Sequence, residues 1–382
     1  RLDRRAPPAP GWLVPALLAG SATFVYYART SNVDMAALFW TWLAFALVET
    51  RHGSAGRYAA AAVAAVAAVC CKEQTAPFAA VVGLAACVRA WRRPRRPRRL
   101  AGAALVAAAG LAAYTLIWCL PFNASGWLAH HEFLWGVTRA ERPFPATLAG
   151  FAGLGGRALE LAPITLGLPV VLGLLVALVA RPALRGLGLR AWASVLYLAG
   201  FVGPVGYVYP RFLLLLMPLL VPVAGRGLHA ALARAGAAPR AALAGAILAL
   251  ALAGGPALDL LMLRDTRYAV ERWLAREVPA GSVVEVAGNP RFQARVPRTL
   301  KLLVTLPDSL RARPRGPVGD VVLLSSLDAY ALRREPLRGG YADSLGPAGG
   351  YRLARVERPG ALARLVPRLP VAPVVEVYVR ER

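Results

Sequence analysis

Long uninterrupted runs of apolar residues dominate the first two thirds of this 382-residue chain. Residues 100–120 and 163–180 are two such runs, and neither contains a charged side chain. A run of this length matches the roughly 20 residues that an α-helix needs to cross the hydrocarbon core of a bilayer. Helices and strands at the surface of a soluble protein would show alternating apolar and polar faces instead. The runs therefore predict an α-helical polytopic membrane protein.

About nine such segments precede Asp259. They lie at about 11–28, 33–49, 58–71, 76–90, 100–120, 162–180, 191–208, 212–225 and 240–258. Over the whole chain 57% of residues are hydrophobic and 17% are charged, whereas about 25% are charged in an average soluble protein. We therefore divide the chain into a transmembrane domain, 1–258, and a separate domain, 259–382.

The distribution of charge predicts the orientation of these segments. The formal net charge is +25, which raises the question of a nucleic-acid partner. Every second gap between apolar runs is rich in arginine, while the intervening gaps are nearly balanced. The arginine-rich gaps are 1–10, 50–57, 89–99, 181–190 and 226–240. This alternation is the positive-inside pattern, with the arginine-rich gaps in the cytoplasm. No nucleic-acid partner is predicted, and nine crossings place the tail outside the cytoplasm.

The tail after Asp259 has the sequence pattern of a small α/β domain. Residues 265–277 have helical spacing of apolar side chains and end at a Val-Pro-Ala-Gly stop. Three runs have the composition of β-strands. They are residues 282–287, 320–324 and 374–379. The four cysteines of the chain show neither disulfide nor metal-ligand spacing. We predict a small extracytoplasmic α/β domain.

Charged residues beside hydrocarbon deserve separate study, because each costs roughly 2.5–3.5 kcal/mol on insertion scales and usually has a partner or a function. Four groups of this kind lie in the intervening gaps, on the predicted outer side. They are Asp34 at a helix start, Lys72-Glu73 at a hairpin tip, a polar loop with His130, His131, Glu132, Arg139 and Glu141, and Arg211 at the mouth of an apolar span.

Each group allows a structural and a functional interpretation. Asp34 is either a helix-start carboxylate favoured by the helix dipole, with Asn32 or Ser31 as cap, or a carboxylate that faces an outer cavity. Lys72 either belongs to a solvated turn or binds an anionic phosphate. Arg211 either extends to the interface or holds a phosphate through two hydrogen bonds. Adjacent histidines point apart on a helix, so the pair at 130–131 suits a substrate groove better than a metal site.

Four short motifs follow one another along the chain. They are Tyr26-Tyr27-Ala28-Arg29 followed by Asp34; Cys71-Lys72-Glu73; Pro210-Arg211-Phe212-Leu213 through Met217-Pro218-Leu219-Leu220; and Tyr268, Trp273, Leu274, Pro279, Gly281 and Val284 at the start of the tail. In this order and topology the chain resembles the GT-C superfamily of membrane glycosyltransferases. The resemblance is to the bacterial branch related to protein mannosyltransferases and the lipid A aminoarabinose transferase, and it covers nearly the whole chain.

The resemblance implies a reaction and a location. A sugar would pass from a polyprenyl-phosphate carrier to a lipid, glycan or protein acceptor, by inverting displacement, at the outer face of the inner (plasma) membrane. In the family an aspartate between the first two spans serves as base or metal-linked carboxylate. Relative to that pattern the chain is expected to begin after the second span, without this aspartate, and to be catalytically incomplete as it stands.

Under this hypothesis the candidate residues take specific roles. Asp34 and Glu73 are the catalytic candidates, and Lys72 and Arg211 bind the donor phosphate. The sugar or the acceptor is expected to contact Tyr27, Arg29, His130, His131, Glu132, Trp135 and Tyr209. No cofactor is firmly implied, and a divalent metal stays open. Two alternatives remain: a transporter or flippase of lipid-linked saccharides, and a non-catalytic subunit of envelope assembly. Ionisable groups at the outer ends of spans, and not deep within them, favour the transferase.

Overall fold

A computed structural model of the chain describes residues 11–30, 32–50, 53–92, 96–140, 143–179, 188–290, 293–306, 316–326, 341, 344–361, 363 and 371–381, with 96–98, 135, 137–140, 251 and 252 described by their backbone alone. The chain divides into two compact units, Arg1–Gly255 and Pro256–Arg382. The first unit is helical, and the second contains a β-sheet.

The described part of the helical unit is built from short and long helices. They are α1 (Leu13–Ala19), α2 (Ala22–Arg29), α3 (Val33–Val48), α4 (Ala55–Cys71), α5 (Ala76–Trp91), α6 (Arg96–Ile117), α7 (Leu120–Ala140), α8 (Leu148–Leu166), α9 (Leu168–Val179), α10 (Gly188–Tyr197), α11 (Gly203–Val205), α12 (Pro210–Leu214), α13 (Met217–Arg234) and α14 (Ala237–Leu263). A 3-10 turn, Glu73–Thr75, joins α4 to α5. A π-helical turn, Leu198–Val202, joins α10 to α11.

Several of these helices are apolar enough to cross a membrane. Among the described residues, three candidates meet the length and hydropathy expected of a span, and five do so if each of two sharply bent helix pairs counts as one span. The membrane character predicted from the sequence is thus supported, but the count of nine spans is not confirmed. The difference is one of length: α4 has 17 residues, or about 25 Å at 1.5 Å per residue, less than the ~30 Å hydrocarbon core.

Two breaks in apolar helices lie against each other. The first predicted span is interrupted at Gly20-Ser21, and the sixth at Gly167, whose φ of +87° favours glycine. Ser21 is completely buried, and its hydroxyl donates to the carbonyl oxygen of Thr165 at 2.6 Å. A hydroxyl can therefore satisfy a backbone carbonyl that a helix end exposes, as is required where water is excluded.

Small residues permit the closest helix contacts in this unit. Where α9 crosses α13, a Cβ on Gly173 would lie 2.7 Å from the carbonyl oxygen of Ala224. Where α14 approaches the end of α1, a Cβ on Gly254 would lie 2.6 Å from the carbonyl oxygen of Gly20. The alanine-rich α4 packs against α3, α5 and α6. This is the small-residue packing expected of helices that associate in lipid.

The second unit places one helix on a mixed five-stranded sheet. It contains α15 (Thr266–Glu277), β1 (Val283–Ala287), β2 (Lys301–Thr305), β3 (Val321–Ser325), β4 (Tyr351–Glu357) and β5 (Val375–Arg380). The strand order is β2-β1-β3-β5-β4; β1 is parallel to β2 and β3, and β5 is antiparallel to β3 and β4. The predicted helix and three predicted strands are confirmed as α15, β1, β3 and β5. The two edge strands were not predicted.

The core of this unit forms between α15 and the sheet. Val270 and Leu274 of α15 are completely buried in one cluster with Val286 and Leu323 of the central strands. Asp265 caps the helix and accepts a hydrogen bond from the backbone N–H of a residue 107 positions later, Ala372, at 3.1 Å. The end of the chain is thereby tied to the start of the helix.

One carboxylate is buried within the sheet. Glu285 accepts hydrogen bonds from the Thr305 hydroxyl at 2.6 Å and from the backbone N–H groups of Val318 and Gly319 at 2.7 and 2.9 Å. Burial alone would raise the pKa of Glu285, but these bonds, with one from Tyr341, outweigh it and lower the pKa below its ordinary value. The side chain thus ties β1 to β2 and to the loop before β3.

We expect the second unit to lose stability in acid through Glu285. Because its folded pKa is lowered, the carboxylate contributes stability above its unfolded pKa of about 4.3, and that contribution is lost as the pH falls through the folded pKa. Protection of the Val318 and Gly319 amides, measured by hydrogen exchange in the whole protein, should fall below about pH 4. Glu285→Gln should reduce protection at neutral pH by about 2 kcal/mol and remove the pH dependence. Glu277→Gln, exposed at the end of α15, is the control. Equal protection at about pH 3 and about pH 7 would contradict the expectation.

Candidate functional site

Residues from the intervening gaps meet at one end of the helical unit. Asp34 at the start of α3 forms an ion pair with Lys72, which ends α4. Tyr27 of α2 lies within electrostatic range of both Asp34 and Arg211. Tyr197 at the end of α10 also lies within range of Asp34, and its hydroxyl donates to the carbonyl oxygen beside Arg211, that of Phe212, at 3.0 Å. Five helices therefore contribute to one end of the bundle.

The Asp34–Lys72 ion pair is almost completely shielded from solvent. The side chain of Asp34 is 0% exposed and that of Lys72 is 10% exposed. The side chain of Asn32 accepts a hydrogen bond from the Asp34 N–H at 3.0 Å, which confirms Asn32 as the predicted cap of α3. The Asp34 carboxylate is therefore not needed as a cap and pairs with Lys72. Among the described residues, no hydrogen-bond donor reaches Asp34 Oδ2. Removal of one partner from such a pair leaves an uncompensated buried charge.

The turn after α4 sends neighbouring charges in different directions. Lys72 has extended backbone angles, φ −157° and ψ 109°, and its carbonyl accepts from the Thr75 hydroxyl at 2.9 Å. The 3-10 turn that follows directs Lys72 towards Asp34. It leaves Glu73 to face α7, where Glu73 Oε1 lies 2.7 Å from His130 Nε2. The Glu73 and His130 side chains are 34% and 39% exposed, so solvent can reach this second pair.

Aromatic rings from α6, α7 and the turn between them lie next to the two histidines. The ring of Trp118 lies 5.4 Å from that of His130, and the ring of Trp127 lies 4.2 Å from that of His131. Trp127 Nε1 donates to the Tyr114 hydroxyl at 2.9 Å, which fixes α7 against α6. Sequence reasoning missed Tyr114, Trp118 and Trp127 as site residues, since aromatic residues at the end of an apolar run are also typical of a membrane interface.

Arg211 is an exposed cation at this end. It lies at the start of α12, and its guanidinium carbon is 5.8 Å from the centroid of the Phe212 ring. The ring of Tyr209, half-exposed, lies 5.7 Å from the same phenylalanine. Arg211 is therefore open to a ligand, and Tyr27 lies within electrostatic range of both Arg211 and the buried Asp34.

The predicted site residues divide into those that the structure brings together and those that it does not. Tyr27, Asp34, Lys72 and Arg211 form one group, and Glu73 joins His130 in another. His131 turns away and binds the Trp127 carbonyl at 2.8 Å, so the two histidines do point apart as predicted. Arg29 and Glu132 are exposed, and the Trp135 side chain lies outside the described part of the chain. No group of three or more His, Cys, Asp or Glu side chains within the described ranges could hold a metal ion.

No protein family, curated protein or solved structure matches this chain. What the site can do is therefore inferred from its own chemistry. It combines a buried carboxylate–ammonium pair, a half-exposed carboxylate beside an imidazole, and an exposed guanidinium. A set of this kind can neutralise a bound phosphate and accept a proton.

Proposed function

We propose that this protein is a membrane glycosyltransferase that moves a sugar from a polyprenyl-phosphate donor to an envelope lipid, glycan or protein acceptor. The observation that carries the proposal is the convergence of Asp34, Lys72, Glu73 and Arg211, from three separate gaps, at one end of a bundle of apolar helices. A lipid-linked sugar phosphate needs an apolar path for its tail, cations for its phosphate and a base for the acceptor hydroxyl. The resemblance to the GT-C superfamily supports the same assignment.

We place the site at the outer face of an inner (plasma) membrane. Arginine-rich gaps meet at the opposite end of the helical unit, where Arg190 Nε lies 2.6 Å from Glu49 Oε1 and Arg226 is within electrostatic range of both. Segregation of the two kinds of gap to opposite ends supports the positive-inside orientation. We further propose nine crossings in a GT-C-like transmembrane domain, 1–258, which would put the tail outside the cytoplasm.

The proposed reaction is an inverting displacement at the anomeric carbon of the donor sugar. The acceptor oxygen forms a new C–O bond to that carbon while the C–O bond to phosphate breaks, and polyprenyl phosphate leaves as an anion. Glu73 takes the proton of the acceptor hydroxyl. Arg211 stabilises the charge on the leaving phosphate, whereas Lys72, whose charge Asp34 neutralises, supports the turn that carries Glu73. Asp34 is buried and already neutralised, so we assign it the task of fixing the Lys72-Glu73 turn.

The exposed and half-exposed residues of this end would shape the sugar and acceptor subsites. They are Tyr27, Arg29, His130, His131, Glu132, Trp135 and Tyr209. Aromatic and polar side chains of this kind orient polar ligands in otherwise apolar clefts.

The second unit, in which Glu285 ties two strands and a loop together, would serve in acceptor choice. A divalent metal stays open as a further component.

We expect Arg211→Ala to reduce sugar transfer about 100-fold or more, because loss of one preorganised charge stabiliser typically costs that much. The assay is transfer of labelled sugar, with release of polyprenyl phosphate, by the protein in proteoliposomes. Arg157→Ala is the matched control: Arg157 is also exposed but pairs with Glu160 on α8. Unchanged turnover in Arg211→Ala would remove Arg211 from the site, and failure of the unaltered protein to bind any lipid-linked donor would refute the function.

The buried Asp34–Lys72 pair also favours one alternative. Ionisable pairs inside a helical bundle are typical of transporters, so a flippase of lipid-linked saccharides remains a second candidate. Movement of the labelled donor between leaflets without cleavage of its sugar–phosphate bond would support the flippase. Binding of the donor with neither movement nor transfer would support a non-catalytic subunit of envelope assembly.

A further inference from the structure

The opposite end of the helical unit carries a charged cluster that the proposed function does not use. Arg190, at the start of α10, binds both oxygens of Glu49: Nε lies 2.6 Å from Oε1, and Nη2 lies 2.7 Å from Oε2. Its third nitrogen, Nη1, donates to the carbonyl oxygen of Pro218 at 2.9 Å. The two-bond geometry is the strongest form of arginine–carboxylate pair. It neutralises Glu49 within the bundle.

Further basic side chains from α13 lie at this end of the unit. Arg226 is half-buried and lies within electrostatic range of Arg190 and Glu49. His229 follows three residues later and therefore lies on the same face of α13. Its Nε2 is buried and, among the described residues, has no hydrogen-bond partner. Arg190 already matches the Glu49 charge through two hydrogen bonds, so Arg226 and His229 are further basic side chains near a neutralised pair.

Arg89 brings another guanidinium to the same end. Near the start of α5, Phe78 stacks on Tyr197 at the end of α10, with ring centroids 4.8 Å apart. Counted from that contact at 1.5 Å per residue, Arg89 lies about 16 Å towards the C-terminal end of α5. Arg190 lies about 10 Å towards the N-terminal end of α10. A side chain on Gly102 would meet Ala90 and Ala55, so the end of α5 does lie at the start of α4. Within the described part of the chain, Arg89 Nη1 is buried without a hydrogen-bond partner.

Two exposed tryptophans mark the level of this cluster relative to a membrane. Trp91 follows Arg89 and is 49% exposed, and Trp192 follows Arg190 and is 70% exposed. Exposed tryptophans at the ends of apolar helices are typical of the headgroup region of a bilayer. Arginines at that level meet the phosphates of anionic lipids, which attract basic segments by about 1 kcal/mol per residue.

We propose that Arg89, Arg226 and His229, with Arg190 behind them, bind the phosphate of an anionic phospholipid headgroup. The phosphate oxygens supply the acceptors that Arg89 Nη1 and His229 Nε2 lack, and the planar guanidinium matches a phosphate in shape and charge. Occupancy would join α5, α10 and α13, which carry these residues. The binding is independent of sugar transfer.

Native mass spectrometry of the protein released from lipid nanodiscs tests this inference. Protein from discs of phosphatidylcholine with a minor fraction of phosphatidylglycerol should retain phosphatidylglycerol. Arg226→Gln and Arg89→Gln should each weaken that retention roughly fivefold. Arg157→Gln, exposed on α8, should leave it unchanged. Thermal unfolding in discs of phosphatidylcholine alone identifies any variant that is misfolded. Because Arg226 is half-buried, Arg226→Gln is the variant whose lipid retention decides whether the cluster is the binding site.

Two results would overturn the proposal. Retention of phosphatidylglycerol by folded Arg226→Gln at the level of the unaltered protein would exclude the cluster as the site. Inorganic phosphate added to phosphatidylcholine discs should leave the unfolding temperature unchanged. If it raised that temperature as much as phosphatidylglycerol does, the cluster would take free phosphate and not a lipid headgroup.

Discussion

Lys72→Met is expected to destabilise the helical unit by about 3–5 kcal/mol, the usual cost when one partner of a buried ion pair is removed. The physical reason is that Asp34 would keep its buried position without a counter-charge. The Asp34 side chain is 0% exposed, and no hydrogen bond to its Oδ2 comes from the described residues. Loss of helical circular dichroism during denaturant titration in detergent measures the effect.

The double variant Lys72→Met with Asp34→Leu separates charge from packing. Apolar replacement of both members of a buried pair is often neutral or stabilising, so most of the lost stability should return. Sugar transfer should stay reduced, because the turn that carries Glu73 has lost its ion pair to α3. Lys301→Met, at an exposed position on β2, controls for the loss of a lysine. If the double variant were as unstable as the single one, the shape of Lys72, and not its charge, would support the turn.

The sequence allowed the end-to-end segregation of charge to be predicted, but not which charges would pair. Lys72 and Asp34 were assigned to one side because both lie in gaps without an arginine excess. Their contact depends on the 3-10 turn at Glu73–Thr75, which directs Lys72 inward. A turn of three residues leaves no hydropathy signal. Helix breaks inside apolar runs, as at Gly20-Ser21, escape prediction for the same reason.

The strands of the second unit illustrate the same limit. β3 is buried along its whole length and β1 is buried apart from its first residue, and their runs of branched apolar residues were recognised. β2 and β4 are the edges of the sheet. Their exposed positions admit Lys301 and Arg352, so charged residues dilute the pattern that marks a strand. Edge strands depend on neighbours distant in sequence, which composition alone does not reveal.

Glu73→Gln is expected to reduce sugar transfer by about 10²–10⁴-fold, the range that a general base contributes. The substitution tests the base alone, because glutamine has nearly the same size as glutamate. Its carbonyl oxygen can still accept the hydrogen bond from His130 Nε2, which lies 2.7 Å from Glu73 Oε1. Only the capacity to take a proton is lost. Because the side chain is half-exposed, a fall in sugar transfer would not be due to misfolding.

Two further variants distinguish chemistry from positioning at this pair. His130→Ala removes the group that orients Glu73 but not the base itself, so turnover should fall less, by about tenfold, and Glu73→Gln added to it should lower turnover further. Glu160→Gln, a half-exposed carboxylate on α8 paired with Arg157, should leave turnover unchanged. Full activity in Glu73→Gln would place the base elsewhere. Asp34 is buried in its ion pair with Lys72 and could not replace Glu73. The base would then have to come from another segment of the chain.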